Sequence, residues 1–343
     1  MLSIRARAFR ALVRRGTDSA LHLPLDKRRE QMDRLAAMAR LPKGTRVVPV
    51  AAPGLRGEWV RVPQSRADRV ILYLHGGAFC MGSPASHRNL VAWLCESARA
   101  RALSLDYPLA PEHPFPAALD RTVAAYRFLR DTGAAPDRIA LAGDSAGANL
   151  VLAALLTLRD AGDPLPAAAV CISPPTDLTG GSPSLVSRAR LDPMVKLESV
   201  GPLCLAYAGG ASPDDPRLSP LAADLTGLPP LLIHVGSDEI LFDDSLRFAR
   251  KAREAGVDVR LEVGEELWHV WHAAVPYVPE STRAVQRIGR FLRERLPDSQ
   301  VSRATVTGVI PPSGSPSQGC GRAAPTASWE GGAGRGRQGG GES

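Results

Sequence analysis

The sequence predicts an α/β protein: a mostly parallel central sheet of about eight strands, flanked by helices. Three observations carry this. Continuous apolar runs recur at residues 69–74, 138–142, 167–172 and 231–235, as expected for parallel strands covered on both faces. Stretches of helical periodicity separate them, and strands alternating with helices imply right-handed crossovers within one sheet. The chain has 343 residues, 44% hydrophobic and 22% charged, ordinary values for a globular protein with a sizeable core.

In chain order, residues 4–13 form an amphipathic helix, with Ile4, Phe9, Leu12 and Val13 on one face and arginines around the rest. A second helix covers 28–40 and stops at Leu41-Pro42-Lys43-Gly44. Short strands at 46–50 and 58–62 make an antiparallel hairpin around Pro53-Gly54. Strands follow at 69–74, 102–105, 138–142, 167–172, 231–235 and 257–263. Helices occupy 87–98, 117–130, 148–159, 244–255 and 280–295. Residues 178–220, rich in Gly, Ser, Pro and Asp, carry weak helical signals and form an insertion suited to covering a pocket. Residues 298–343 are Gly/Pro/Ser-rich with few large apolar side chains, so they cannot offset the entropy of ordering and are expected to be disordered.

Charge and cysteine usage exclude several classes. The formal net charge is +7, but residues 1–15 hold five arginines and no acid, and from 299 onward four arginines face two acids. The stretch between is neutral, so nothing marks the core as a nucleic-acid surface. Five cysteines, widely spaced and without a CxxC pair, argue against a disulfide scaffold or a structural zinc site. No apolar run approaches the roughly 18 residues that span a bilayer, and the arginine-interrupted N-terminus lacks a signal-peptide core. A cytoplasmic protein is expected. The first helix reads as a cap lying on the domain, with weak membrane-surface contact through residues 1–15 as its rival.

Gly143-Asp144-Ser145-Ala146-Gly147 matches Gly-x-Ser-x-Gly between an apolar strand and a helical run. A serine hydroxyl needs exposure at the sheet's carboxyl edge and a base within reach. A tight strand-turn-helix supplies both, with strain that only small neighbours such as Gly143 and Gly147 tolerate. Ser145 is the expected nucleophile; an ordinary turn with a serine cap is the bland alternative. His75-Gly76-Gly77-Ala78-Phe79 follows the strand at 69–74, and its paired glycines can turn N–H groups toward a developing oxyanion. Gly76, Gly77 and Ala146 are the expected donors. His75 and Asp144 are expected to support the site structurally.

The nucleophile elbow calls for an acid and then a histidine further along the chain. Asp238, just past the strand at 231–235, is the expected acid, ahead of Glu239, Asp243 and Asp244; the two later aspartates are ascribed to helix capping. His269, flanked by Trp268 and Val270, is the expected base, with His272 at the pocket rim or surface and His234 in the core. His22, His87 and His113 have no context suggesting chemistry. Cys80 is expected to pack as a small apolar residue. No metal or organic cofactor is required.

Together these residues resemble the hormone-sensitive-lipase-like branch of the α/β-hydrolases, the bacterial carboxylesterases and acetyl hydrolases. The resemblance covers roughly residues 45–296. It rests on the 75–79 and 143–147 motifs, Asp106-Tyr107-Pro108-Leu109-Ala110-Pro111-Glu112-His113-Pro114-Phe115-Pro116-Ala117, Gly236-Ser237-Asp238-Glu239 and Trp268-His269-Val270. It implies an α/β-hydrolase domain over 45–297, capped by residues 1–44 and part of 178–220. It also implies hydrolysis of short- to medium-chain acyl esters. Ala78 and Pro175 stand where relatives often have glycine and tryptophan. The expected partners are a small-molecule ester and, in a homodimer, a second copy of the chain. A lactone hydrolase would use the same residues, and a non-catalytic receptor on this fold would be expected to lack the serine or histidine.

Overall fold

The structure is a computed structural model and describes residues 1–50 and 52–296; the 298–343 tail lies outside the described residues. The strands are Arg46–Pro49 (β1), Gly57–Arg61 (β2), Arg66–Leu74 (β3), Ala100–Leu105 (β4), Ile139–Asp144 (β5), Ala168–Ile172 (β6), Leu231–Gly236 (β7) and Val259–Gly264 (β8). They form one sheet in the order β1-β2-β4-β3-β5-β6-β7-β8. β1 and β2 make the antiparallel hairpin, β2 runs antiparallel to β4, and every pairing from β4 to β8 is parallel.

Alternation along the strands sorts the core into two layers. On β3, Val70, Leu72 and Leu74 face the cluster that holds Leu119, Tyr126, Leu150 and Phe248. These come from the helices Ala117–Asp131 (α4), Ala146–Asp160 (α5) and Phe242–Glu254 (α8), taking Pro84–Ala98 as α3 and Leu197–Ala208 as α7. Ile71 and Tyr73 face the opposite cluster, with Leu90 and Leu94 of α3 and Ile288 and Leu292 of Pro279–Arg295 (α9). All six residues of β5 are buried, which is why its run lacks polar alternation.

Two further pieces lie over the carboxyl edge. Ile4–Ala20 (α1) and Leu25–Ala36 (α2) precede the sheet. Ala6 of α1 is fully buried in a small cluster with Leu267, Trp268 and Trp271. Within 178–220, Ser184–Ser187 (α6) is a single turn, whereas α7 has 12 residues with Pro202 inside it. Gly201-Pro202 reads locally as a helix breaker, so the sequence underestimates α7. Tertiary contact supplies what propensity lacks. Tyr207 near its end stacks on Phe79 at 3.8 Å between centroids, and the Tyr207 carbonyl accepts the Phe115 N–H at 2.7 Å. Among the described residues no helix is long and apolar enough to cross a membrane.

Candidate active site

β5 ends at Asp144 and α5 begins at Ala146, so Ser145 alone makes the turn, at φ 51° and ψ −125°. This left-handed backbone is costly for a non-glycine residue, about 1–3 kcal/mol, and persists because both neighbours are packed hard. A Cβ on Gly147 would lie 2.0 Å from the Leu74 carbonyl oxygen, so only glycine lets α5 approach β3. The Ser145 N–H donates to the Ile172 carbonyl at 2.8 Å, tying the turn to the end of β6.

Beneath the turn, Asp144 is buried and well partnered. Tyr73 donates its hydroxyl to Oδ1 at 2.6 Å, and His87 Nε2 lies 3.3 Å from Oδ2. Burial opposes ionisation, but His87 and Tyr73 outweigh it and hold the Asp144 carboxyl below its usual range. Burial likewise lowers His87, and Asp144 more than reverses this, leaving it raised. His87 therefore does have an acidic partner, one supplied across 57 residues of chain that no local pattern links.

The loop after β3 takes positive φ at three successive residues: Gly77 (φ 125°), which glycine holds without strain, and Ala78 (φ 51°) and Phe79 (φ 60°), which are strained there. Its anchor is His75. The buried ring stacks on Tyr107 at 4.2 Å, its Nδ1 lies 2.9 Å from the Gly76 carbonyl, and Tyr107 donates its hydroxyl to the His75 carbonyl at 2.7 Å. Burial, with His87 nearby, lowers His75 to about 3, so the ring stays neutral at ordinary pH. Of the three expected oxyanion donors, Gly76 gives its N–H to Asp144 Oδ1 at 3.2 Å. That N–H is committed to the protein. Gly77 and Ala146 N–H have no acceptor among the described residues. Cys80 is buried, and burial pushes its thiol up to about 12.

At the ends of β7 and β8 the expected acid does not meet the expected base. Asp238 turns outward, its Oδ2 2.7 Å from Arg10 Nη1 on α1. Glu239, one position later, folds back under the sheet edge and is fully buried. Its Oε2 accepts the Ser173 hydroxyl at 2.8 Å and the Gly236 N–H at 3.0 Å, and its Oε1 faces His269 Nδ1 at 3.6 Å. Glu239 is therefore the carboxylate beside His269. The correction has a physical reason: the Asp238 N–H is bound to the Leu267 carbonyl at 3.0 Å, and that register sends its short side chain toward α1. Burial favours a neutral His269, yet the Glu239 carboxylate, with Asp192 and Asp144 further off, outweighs it and raises the ring above its ordinary value.

Ser173 joins these parts, and sequence reasoning missed it. It sits at φ 51° just past β6, donates to Glu239, and accepts the Val270 N–H at 3.2 Å. Its neighbour Ile172 holds Ser145. The only local signal is its place at the carboxyl end of a buried strand.

Two other expectations are corrected. His272 is fully buried, not at a rim; its Nε2 meets His234 Nδ1 at 2.9 Å, and burial beside His234 lowers it well below normal. Asp244 is more than a cap: its carboxylate accepts the Thr176 and Asp177 N–H groups at 2.6 and 3.0 Å, fastening the start of the insertion.

A strained serine turn, free backbone donors and a buried histidine–carboxylate pair at one sheet edge define a hydrolase of the α/β class. The family model described as alpha/beta hydrolase fold matches residues 71–273, and the chain belongs to that family. Its place is among the hormone-sensitive-lipase-like esterases. An acetyl-hydrolase of Streptomyces hygroscopicus is 49% identical over 236 residues, covering 69% of this chain and 79% of that one. An esterase from the bacterial hormone-sensitive lipase family superposes with a TM-score of 0.84 at 41% identity, covering 87% of this chain and all of that one. EstE5, in a crystal soaked with p-nitrophenyl butyrate, gives 0.81 at 43% identity over 86% and 99% of the two chains.

Proposed function

We propose that the protein hydrolyses carboxylic esters of short to medium acyl chains, with Ser145 as nucleophile, His269 as base and Glu239 as the carboxylate that orients it. The observation that carries this reading is the buried Glu239–His269 pair, joined through Ser173 and Ile172 to the strained Ser145 turn. In the reaction His269 takes the Ser145 proton as the hydroxyl attacks the ester carbonyl. Glu239 fixes the ring with its Nδ1 protonated and stabilises the cation that forms. Gly77 and Ala146 N–H groups hold the oxyanion, at the end of α5 where the helix dipole also favours negative charge. The protonated ring then releases the alcohol, and water activated by His269 clears the acyl group. The 3.6 Å separation is longer than the catalytic contact of about 2.6–3.2 Å, as is common before substrate binds.

The test is a panel of p-nitrophenyl esters of increasing chain length. Wild type should turn over acetate to hexanoate esters and fall off with longer chains, while Ser145→Ala should be inactive on all of them. Retained turnover in the alanine variant would remove the nucleophile assignment.

A second contact belongs to the cap. Ile4, Ala8 and Leu12 make an outward stripe on α1, with Ile4 77% and Leu12 63% exposed and Arg5 and Arg15 alongside. This pattern suits weak attachment to an anionic lipid surface. Wild type should co-sediment with phosphatidylglycerol vesicles at low salt and an Ile4→Asp/Leu12→Asp variant should not; equal sedimentation would remove the reading.

A further inference from the structure

One guanidinium of the cap bridges three separate segments around the histidine–carboxylate pair. Arg10 Nη1 contacts Asp238 Oδ2 at 2.7 Å and donates to the Glu266 carbonyl at 2.9 Å. Its Nη2 donates to the Leu191 carbonyl at 2.8 Å. These acceptors lie in the β7–α8 turn, the turn after β8, and the insertion. Only arginine offers several donors in a rigid fork that can serve three acceptors at once.

Each tethered segment leads directly to the site. Asp238 immediately precedes Glu239. Glu266 lies three residues before His269, on a turn whose Glu266 N–H is also held by the Ser237 hydroxyl at 2.7 Å. Leu191 precedes Asp192, a fully buried carboxylate. Asp192 Oδ2 accepts the N–H of Ile240 at 3.1 Å, and its Oδ1 accepts those of Met194 and Val195 at 2.8 and 3.0 Å. Glu239 is therefore held from both sides, by Arg10 through Asp238 and by the Arg10-tied insertion through Asp192 and Ile240. The seat of α1 reinforces this: Phe9 stacks on Trp268 at 6.2 Å, one residue from His269.

The geometry points to Arg10 as a positioning residue that makes docking of α1 and the insertion a condition for aligning Glu239 with His269. This rests on the reading of Glu239 and His269 given above. The substrate gains nothing from Arg10 directly; what Arg10 supplies is the placement of the base, which matters most in the transition state. Misplacing a catalytic group by about 1 Å costs on the order of a hundredfold in rate. Loss of Arg10 should thus lower kcat and leave KM nearly unchanged.

The test uses the full chain and a p-nitrophenyl ester, with Arg10→Ala, Arg10→Lys, Glu239→Gln and the Arg10→Ala/Glu239→Gln double variant. Arg10→Ala should lower kcat about ten- to a hundredfold with KM within about twofold. Arg10→Lys, which keeps the charge but cannot serve all three acceptors, should fall between. In the Glu239→Gln background, Arg10→Ala should cost almost nothing further, because the carboxylate it positions is gone. A merely structural contribution would instead multiply in the double variant. If Arg10→Ala does not fold, Arg10→Lys carries the same comparison alone and in the Glu239→Gln background. An unchanged kcat in the Arg10 variants, or losses that multiply with Glu239→Gln, would overturn the positioning role. A Glu239→Gln protein with full kcat would instead overturn the Glu239 assignment beneath it.

Discussion

The choice between Asp238 and Glu239 turns on one bond of chain. Both stand just past β7, both are acidic, and the shorter side chain is the natural first choice when only sequence spacing is available. In the folded protein the competition is decided by partners. Asp238 is drawn to Arg10, 228 positions away, while Glu239 has the Gly236 N–H and the Ser173 hydroxyl waiting for one oxygen and His269 facing the other. Glu239→Gln should therefore lower kcat at least a hundredfold, whereas Asp238→Asn, which can still accept from Arg10, should lose much less; steady-state rates on one ester compare them. The pH profile carries a second signature. In the proposed mechanism hydrolysis needs a neutral His269, so activity should fall as pH drops through its pKa, which Glu239 holds above the ordinary histidine value. Removing the carboxylate charge should move the acid limb of the residual kcat/KM toward lower pH. An unmoved limb would show that Glu239 does not set the base.

At the level of elements, the backbone devices that present these groups were written locally and so could be read from the sequence. A buried strand, five small or turn-compatible residues and a helix specify the Ser145 turn, and the structure adds only how little room Gly147 leaves. The loop after β3 is similar. Gly77 has φ 125°, and a Cβ there would sit 2.2 Å from the Met81 carbonyl oxygen. Gly77→Ala should displace this N–H and lower kcat on the order of a hundredfold or more, with a lower melting temperature; unchanged kcat would exclude it as an oxyanion donor. Ala78 next to it adopts φ 51°, a conformation glycine holds without strain. Other elements were not legible because tertiary contact overrides local preference. α7 forms across Gly201-Pro202, with Tyr207 packed on Phe79. His87 and His272 are buried because distant groups, Asp144 and His234, meet them there.

Across the whole molecule, the mostly parallel sheet of eight strands was expected from the apolar runs and their alternation with helices, since burial on both faces leaves a pattern in composition alone. The strand order, with β4 between β2 and β3, is instead set by tertiary pairing that no run encodes. What composition does not carry is the relation between cap and core. The arginines of residues 1–15 read as a basic end with no inward task, yet Arg10 reaches the turns after β7 and β8, and Arg14 reaches the Arg190 carbonyl at 3.3 Å. The N-terminal helix, the turns after β7 and β8 and residues 178–220 thus share one set of polar contacts beside Glu239, at the edge of the sheet where they meet. The proposed mechanism requires an acyl group carried by Ser145. The most direct measurement is mass spectrometry of the protein quenched within its first turnovers of p-nitrophenyl butyrate, followed by peptide mapping. One butyryl group per chain is expected on the peptide containing Ser145, and none in Ser145→Ala. An acyl group on another residue, or steady turnover by the alanine variant, would contradict it.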